Sequence, residues 1–184
     1  MFPVLCFGQT AEEYEKSGRK KYYLKDYAGA IADYTKAIEL DPNDAKAYYN
    51  RGNSKKNLKD YKGAITDYTK AIELKPDYVD AYNNRGFSKD NLKDYYGAIT
   101  DFDMVIKLNP DYAAYVNRGL SKYYLKDYKG AITDYSKAIE LKPDYADAYY
   151  NRGTSKWYLK QDYCSDYKKA CELGDCNNYN KFCR

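Results

Sequence analysis

Four of the five cysteines close the chain, at Cys164, Cys171, Cys176 and Cys183, and thiols are the most reactive side chains the sequence offers. Histidine is absent, which removes the commonest general base and metal ligand. There is no phosphate-cradling G-x-x-x-x-G-K-[ST] loop and no H-E-x-x-H pair, so no catalytic set is found and no cofactor is implied. Six residues separate Cys164 from Cys171 and Cys176 from Cys183. Seven positions make two helical turns, so each pair shares one helix face. Gly174-Asp175 supplies a turn between the pairs. Folded back as an antiparallel hairpin, the segment sets Cys171 against Cys176 and Cys164 against Cys183, two nested disulfides worth on the order of 2–3 kcal/mol each. The alternative is a zinc-binding or enzymatic module using the four sulfurs, although the usual C-x2-C pairs are missing. Four reduced thiols in a cytosolic protein are a third state open to them.

Bringing such sulfurs together takes helices and a turn, and the rest of the chain is written in the same units. Leu-Lys-Asp-Tyr occurs at 24–27, 58–61, 92–95 and 125–128, and Asn-Arg-Gly at 50–52, 84–86, 117–119 and 151–153. Pro42, Pro76, Pro110 and Pro143 punctuate the same period. The repeats are 11–44, 45–78, 79–112, 113–145 and an altered fifth, 146–173, within a domain of residues 10–173. An apolar segment, 1–9, precedes them and a cysteine-containing cap, 174–184, follows. Tyr48, Gly52 and Lys55 recur at helical spacing in a first helix, and Ala64, Tyr68 and Ala71 in a second. Asp26, Asp60, Asp94 and Asp127 stand at the N-cap of each second helix. Thr10 with Glu13 forms a capping box at the start.

Tyr48, Gly52, Leu58, Tyr61, Ala64, Tyr68, Ala71 and Pro76 resemble the signature of the tetratricopeptide repeat, and the match recurs over residues 11–173. The resemblance implies an all-α fold, a right-handed superhelical solenoid of helix-turn-helix repeats closed by a C-terminal capping helix. A single helix pair cannot bury its apolar stripe alone, so stacking is obligatory. The resemblance also implies a non-catalytic scaffold that binds a peptide or partner helix in a concave groove lined by first helices.

Most of the 26 tyrosines recur at fixed repeat positions, as packing residues do. The remainder mark where repeats differ. On the face of the first helix away from Tyr48 and Gly52, the second repeat carries Tyr49 and Asn53, while later repeats turn apolar: Phe87, then Val116, Leu120, Tyr123 and Tyr124, then Tyr150, Trp157 and Tyr158. Aromatic anchors in a recess are what protein interfaces use for their strongest contacts. The competing reading is that the C-terminal tail or a second copy of the chain covers this patch. Asn50, Asn84, Asn117 and Asn151 match the asparagines of the family's chaperone-binding clamp, but its lysines are replaced by Glu15, Tyr49, Asn83 and Val116. These asparagines are therefore expected to bond a ligand backbone or the repeat turn.

A net charge of +4 is spread along the chain, so nucleic acid is not an expected partner. Residues 1–8 are apolar and turn polar at Gln9. They read either as the end of a signal peptide, with Cys6 and Gly8 before the cut, or as an apolar segment that folds on the first repeat. With disulfides, the first reading places the protein in the periplasm or cell envelope of a bacterium; the alternative is cytoplasmic. No direct membrane insertion of the folded domain is expected, and the sequence leaves oligomeric state open.

Overall fold

A computed structural model describes residues 9–183; the leader-like reading of residues 1–8 lies outside them. Among the described residues every regular element is a helix: α1 (Ala11–Tyr23), α2 (Tyr27–Leu40), α3 (Ala45–Asn57), α4 (Tyr61–Leu74), α5 (Val79–Asn91), α6 (Tyr95–Leu108), α7 (Tyr112–Tyr124), α8 (Tyr128–Leu141), α9 (Ala146–Tyr158), α10 (Cys164–Glu172) and α11 (Asn177–Phe182). Residues up to Ser88 form one compact unit and those from Lys89 a second. In the first, α1 packs on α2, α2 on α3 and α3 on α4; in the second, each helix from α6 to α11 packs on the next. Packing dominated by sequential helices, with smaller α1–α3 and α7–α9 contacts between first helices of adjacent repeats, is the contact pattern of a solenoid of helical repeats.

Local chemistry fixes each pair. Asp60 caps α4 by accepting from Gly63 N–H at 2.9 Å, and Asp26, Asp94 and Asp127 do the same for Gly29, Gly97 and Gly130. A Cβ on Gly63 would run into the capping carboxylate, which is why the cap and the glycine recur together. The turn before each of these caps puts Lys25, Lys59, Lys93 and Lys126 at φ of 62° or 63°, and Lys160 in the turn before α10 takes φ 56°, the left-handed region that non-glycine residues occupy at a cost. Thr10 and Glu13 form the capping box that the sequence predicts.

Where first and second helices cross, Tyr68 lies over Gly52, and a Cβ there would come to 2.7 Å from its ring. Tyr68 thus fills the crossing within its own helix pair rather than only a gap between repeats. The fourth repeat is one residue short, with Ala113-Ala114 before Tyr115, yet α7 keeps 13 residues. The deletion is absorbed by the preceding loop, since Asp111 directly caps α7 through Ala114 N–H at 2.8 Å.

Each repeat is also tied by a buried ion pair. Arg51 places Nε and Nη2 at 3.0 and 2.8 Å from the two oxygens of Asp67, and Lys55 adds a contact at 2.8 Å. The third guanidinium nitrogen reaches back to Thr35 of the preceding repeat at 3.1 Å. Arg152 repeats this with Asp166, Lys156 and Ser136. Asp67 and Asp134 are 2% and 1% exposed, and a buried carboxylate is tolerated only when paired and hydrogen-bonded in this way.

Candidate functional site

The second unit carries most of the aromatic residues that vary between repeats, although in the first unit Tyr22 and Tyr23 hold the repeat positions of Tyr123 and Tyr124, with Tyr23 80% exposed. On α7 and α9, Tyr124, Trp157 and Tyr158 are 58%, 44% and 47% exposed. Their rings form a connected series: Tyr124 meets Tyr123 at 5.7 Å, Tyr123 meets Tyr158 at 5.8 Å, and Tyr158 meets Trp157 at 4.9 Å between centroids. Tyr158 also stacks on Tyr128 at 4.6 Å, which holds it in place from the second helix. Tyr150 is half-buried with its ring 6.0 Å from Tyr167. Tyr123 is half-buried too, and desolvation with the neighbouring Tyr158 hydroxyl pushes its phenol up, keeping it neutral.

One residue of the expected patch needs correction. Val116 is 5% exposed and belongs to the core formed with Ala131, Tyr135, Ala138 and Ala148. The same repeat position holds Tyr49 and Tyr150 elsewhere, and those longer side chains stay half-buried against Tyr68 and Tyr167 where valine is enclosed in the core. Leu120 is half-buried and packs against that same core, so only part of it faces outward. Phe87 is 37% exposed and belongs to the first unit.

In the first unit the predicted polar positions are largely occupied by one another. Asn84 donates to the Tyr49 hydroxyl at 3.0 Å and to Asn53 Oδ1 at 3.2 Å, and accepts from Lys56 at 2.8 Å. Asn53 also accepts from the Tyr68 hydroxyl at 2.8 Å. Burial raises the Tyr49 phenol and lowers the Lys56 ammonium. Asn50 borders a cavity of about 160 Å³ with Arg19, Tyr22, Tyr23, Tyr34 and Asn53. The backbone carbonyls of Asn50, Asn84, Asn117 and Asn151 accept from the buried hydroxyls of Ser54, Ser88, Ser121 and Ser155, one turn on. These are main-chain bonds that belong to the helix whatever the side chain; the Asn84 side chain instead links α5 to Tyr49, Asn53 and Lys56 of α3. This inter-helix network was not legible from residue types alone.

At the C-terminus Cys164 pairs with Cys183 and Cys171 with Cys176, with Cα separations of 5.6 and 3.9 Å. This is the nested pairing read from the spacing. Gly174, at φ 112°, makes the turn inside the inner loop. The outer bridge holds α11 so that Phe182 reaches Trp157 at 6.4 Å and Tyr167 at 6.5 Å, and the tail thus shields one side of the tryptophan. With the sulfurs paired, none is a thiolate, and among the described residues no three His, Cys, Asp or Glu side chains gather to hold a metal.

Two family descriptions match the chain: TPR repeat over residues 18–59 and 119–157, and tetratricopeptide repeat over 45–78 and 79–112. The chain belongs to the tetratricopeptide repeat family. Among solved structures, this repeat protein is similar to a crystal structure of MamA, with a TM-score of 0.86, 26% identity, and coverage of 97% of this chain and 98% of that one. A MamA fragment from Desulfovibrio magneticus RS-1 aligns with a TM-score of 0.85 at 22% identity, covering 91% of this chain and 97% of that one. YrrB, described as a TPR protein with an unusual peptide-binding site, gives 0.82 at 24% identity, covering 92% and 89%. The latter two likenesses show the fold alone. No curated protein matches. Among the described residues no helix is long and apolar enough to cross a membrane.

Proposed function

We propose that this tetratricopeptide repeat protein is a non-catalytic scaffold that binds a peptide or partner helix across α7 and α9 of its second unit. The carrying observation is the connected series Tyr124, Tyr123, Tyr158 and Trp157, three members of which remain about half exposed. Large aromatic rings held by their neighbours lose little entropy on binding and bury much area, which is the property of interface hot spots. The peptide-binding site named for YrrB, a protein of the same fold, supports the assignment to a protein ligand. Two disulfides support an oxidising, extracytoplasmic compartment, since reduced thiols prevail in the cytosol.

The test is selection of peptides from a random library on the native protein and on a Tyr124→Ala, Trp157→Ala double variant. Both side chains are substantially exposed, so the variant is expected to keep its helical content. Selected peptides should bind the native protein at least tenfold more tightly. Equal binding to both proteins would move the site off α7 and α9.

A further inference from the structure

Asp90, near the C-terminal end of α5, occupies the repeat position that elsewhere holds Tyr22, Lys56, Tyr123 and Trp157. It is the one acidic residue in that series, and it is half-buried. Both of its carboxylate oxygens face a single hydroxyl, Ser121 Oγ, at 2.8 and 3.0 Å. A hydroxyl has one proton to give, whereas an ionised carboxylate can accept about four hydrogen bonds. That proton is contested as well, because Ser121 Oγ lies 3.2 Å from the Asn117 carbonyl, the bond that Ser54 and Ser155 make in their own repeats.

No cation answers the charge among the described residues. Lys89 is held by Asp101 at 2.8 Å. Lys93 borders the same space without pairing with Asp90. Burial pushes the Asp90 carboxyl up to about 6, opposed by the hydrogen bond from Ser121 and aided to a smaller extent by the nearby Asp94. Beside it opens a cavity of about 320 Å³ bounded by Asp90, Asn91, Lys93, Tyr95 and Tyr124. Tyr95 and Tyr124 stack there at 5.2 Å with 13° between their planes. An under-bonded carboxylate beside stacked phenol rings is the combination that receives an organic cation, because the acid meets the charge while an aromatic face takes the stem or the guanidinium plane.

We propose that this cavity is a subsite for an organic cation, the arginine or lysine side chain of a bound partner, with Asp90 as its counter-charge and Tyr124 as its platform. The partner rests on the peptide-binding reading above, but the subsite can be tested without one. The probe is N-acetyl-arginine amide, with N-acetyl-citrulline amide as its uncharged isostere, titrated at pH 7 and followed by NMR at the Asp90 carboxyl and the Tyr124 ring. The arginine derivative is expected to move both sets of signals in one saturable step, and the citrulline derivative to bind at least tenfold more weakly. Asp90→Asn, which keeps the shape and can still accept from Ser121, and Tyr124→Ala, at an exposed ring, should each weaken the arginine derivative about tenfold.

Equal responses to the two derivatives, or an unchanged titration in Asp90→Asn, would overturn the subsite. Library peptides that bind α7 and α9 without basic residues, and equally well to Asp90→Asn, would also overturn it while leaving the peptide-binding reading intact. An arginine response lost in Asp90→Asn, with no peptide ever selected, would support the subsite while removing the peptide-binding reading.

Discussion

At the residue scale, the change from polar to apolar side chains along the first helices has a measurable internal cost. Tyr68 donates to Asn53, and Tyr167 shares a contact with Thr154 at 3.2 Å. In the fourth repeat Leu120 takes the place of Asn53 and Thr154, and the buried Tyr135 hydroxyl has no partner among the described residues. A made hydrogen bond is worth about 1 kcal/mol net, whereas a buried unsatisfied group is a penalty. Tyr68→Phe should therefore lower stability by about 1 kcal/mol, while Tyr135→Phe should be neutral or stabilising, as read by urea denaturation. Equal losses in both would mean that the Tyr135 hydroxyl is satisfied in solution. The Leu120 substitution is visible in the sequence, but its consequence is not, because residue types do not say which hydroxyl lies beneath. Val116 fails as a binding residue for a related reason. Helical spacing assigns it to the same face as Tyr150, but reach depends on side-chain length, and valine does not clear its neighbours.

At the element scale, the helix pairs were almost wholly legible. Asp60 before Gly63, the Gly52–Tyr68 crossing and the prolines are each a local rule satisfied by the residue type itself. The left-handed lysines were not legible, because nothing in a lysine side chain favours φ near 60°; all five sit in the tight turn between the two helices of a repeat. The cysteine pairing was legible in part: helical spacing and the Gly174 turn favour the nested geometry, but a zinc module or four reduced thiols stayed open until the structure paired the sulfurs. What the bridge does could be seen only in three dimensions: it pins Phe182 against Trp157. Cys164→Ser with Cys183→Ser should weaken the C-terminal end by about 2–3 kcal/mol. In hydrogen exchange the loss should appear in α10 and α11 and leave α1–α4 unchanged, since stacked repeats transmit stability chiefly to their neighbours. Uniformly faster exchange along the chain would contradict a local role for the cap.

At the scale of the whole molecule, two compact units carry different surfaces. In the first, Tyr49, Asn53, Lys56 and Asn84 form one hydrogen-bonded network that links α3 to α5. In the second, Tyr124, Trp157 and Tyr158 keep their exposure although their rings touch. The Asn-Arg-Gly motif stands out in the sequence as a period marker, and its arginine proves to be the buried counter-ion of an aspartate 14 or 16 positions later. Such a pairing is hidden from a one-dimensional reading because both partners look like surface charges. The sequence has one tryptophan, Trp157, and it lies in the proposed site, so its fluorescence gives the most direct test of the account. Titrating a library-selected peptide should shift Trp157 emission to shorter wavelength in one saturable step, with backbone amide shifts concentrated on α7 and α9. A peptide that binds while Trp157 emission stays unchanged and the amide shifts fall on other helices would contradict it.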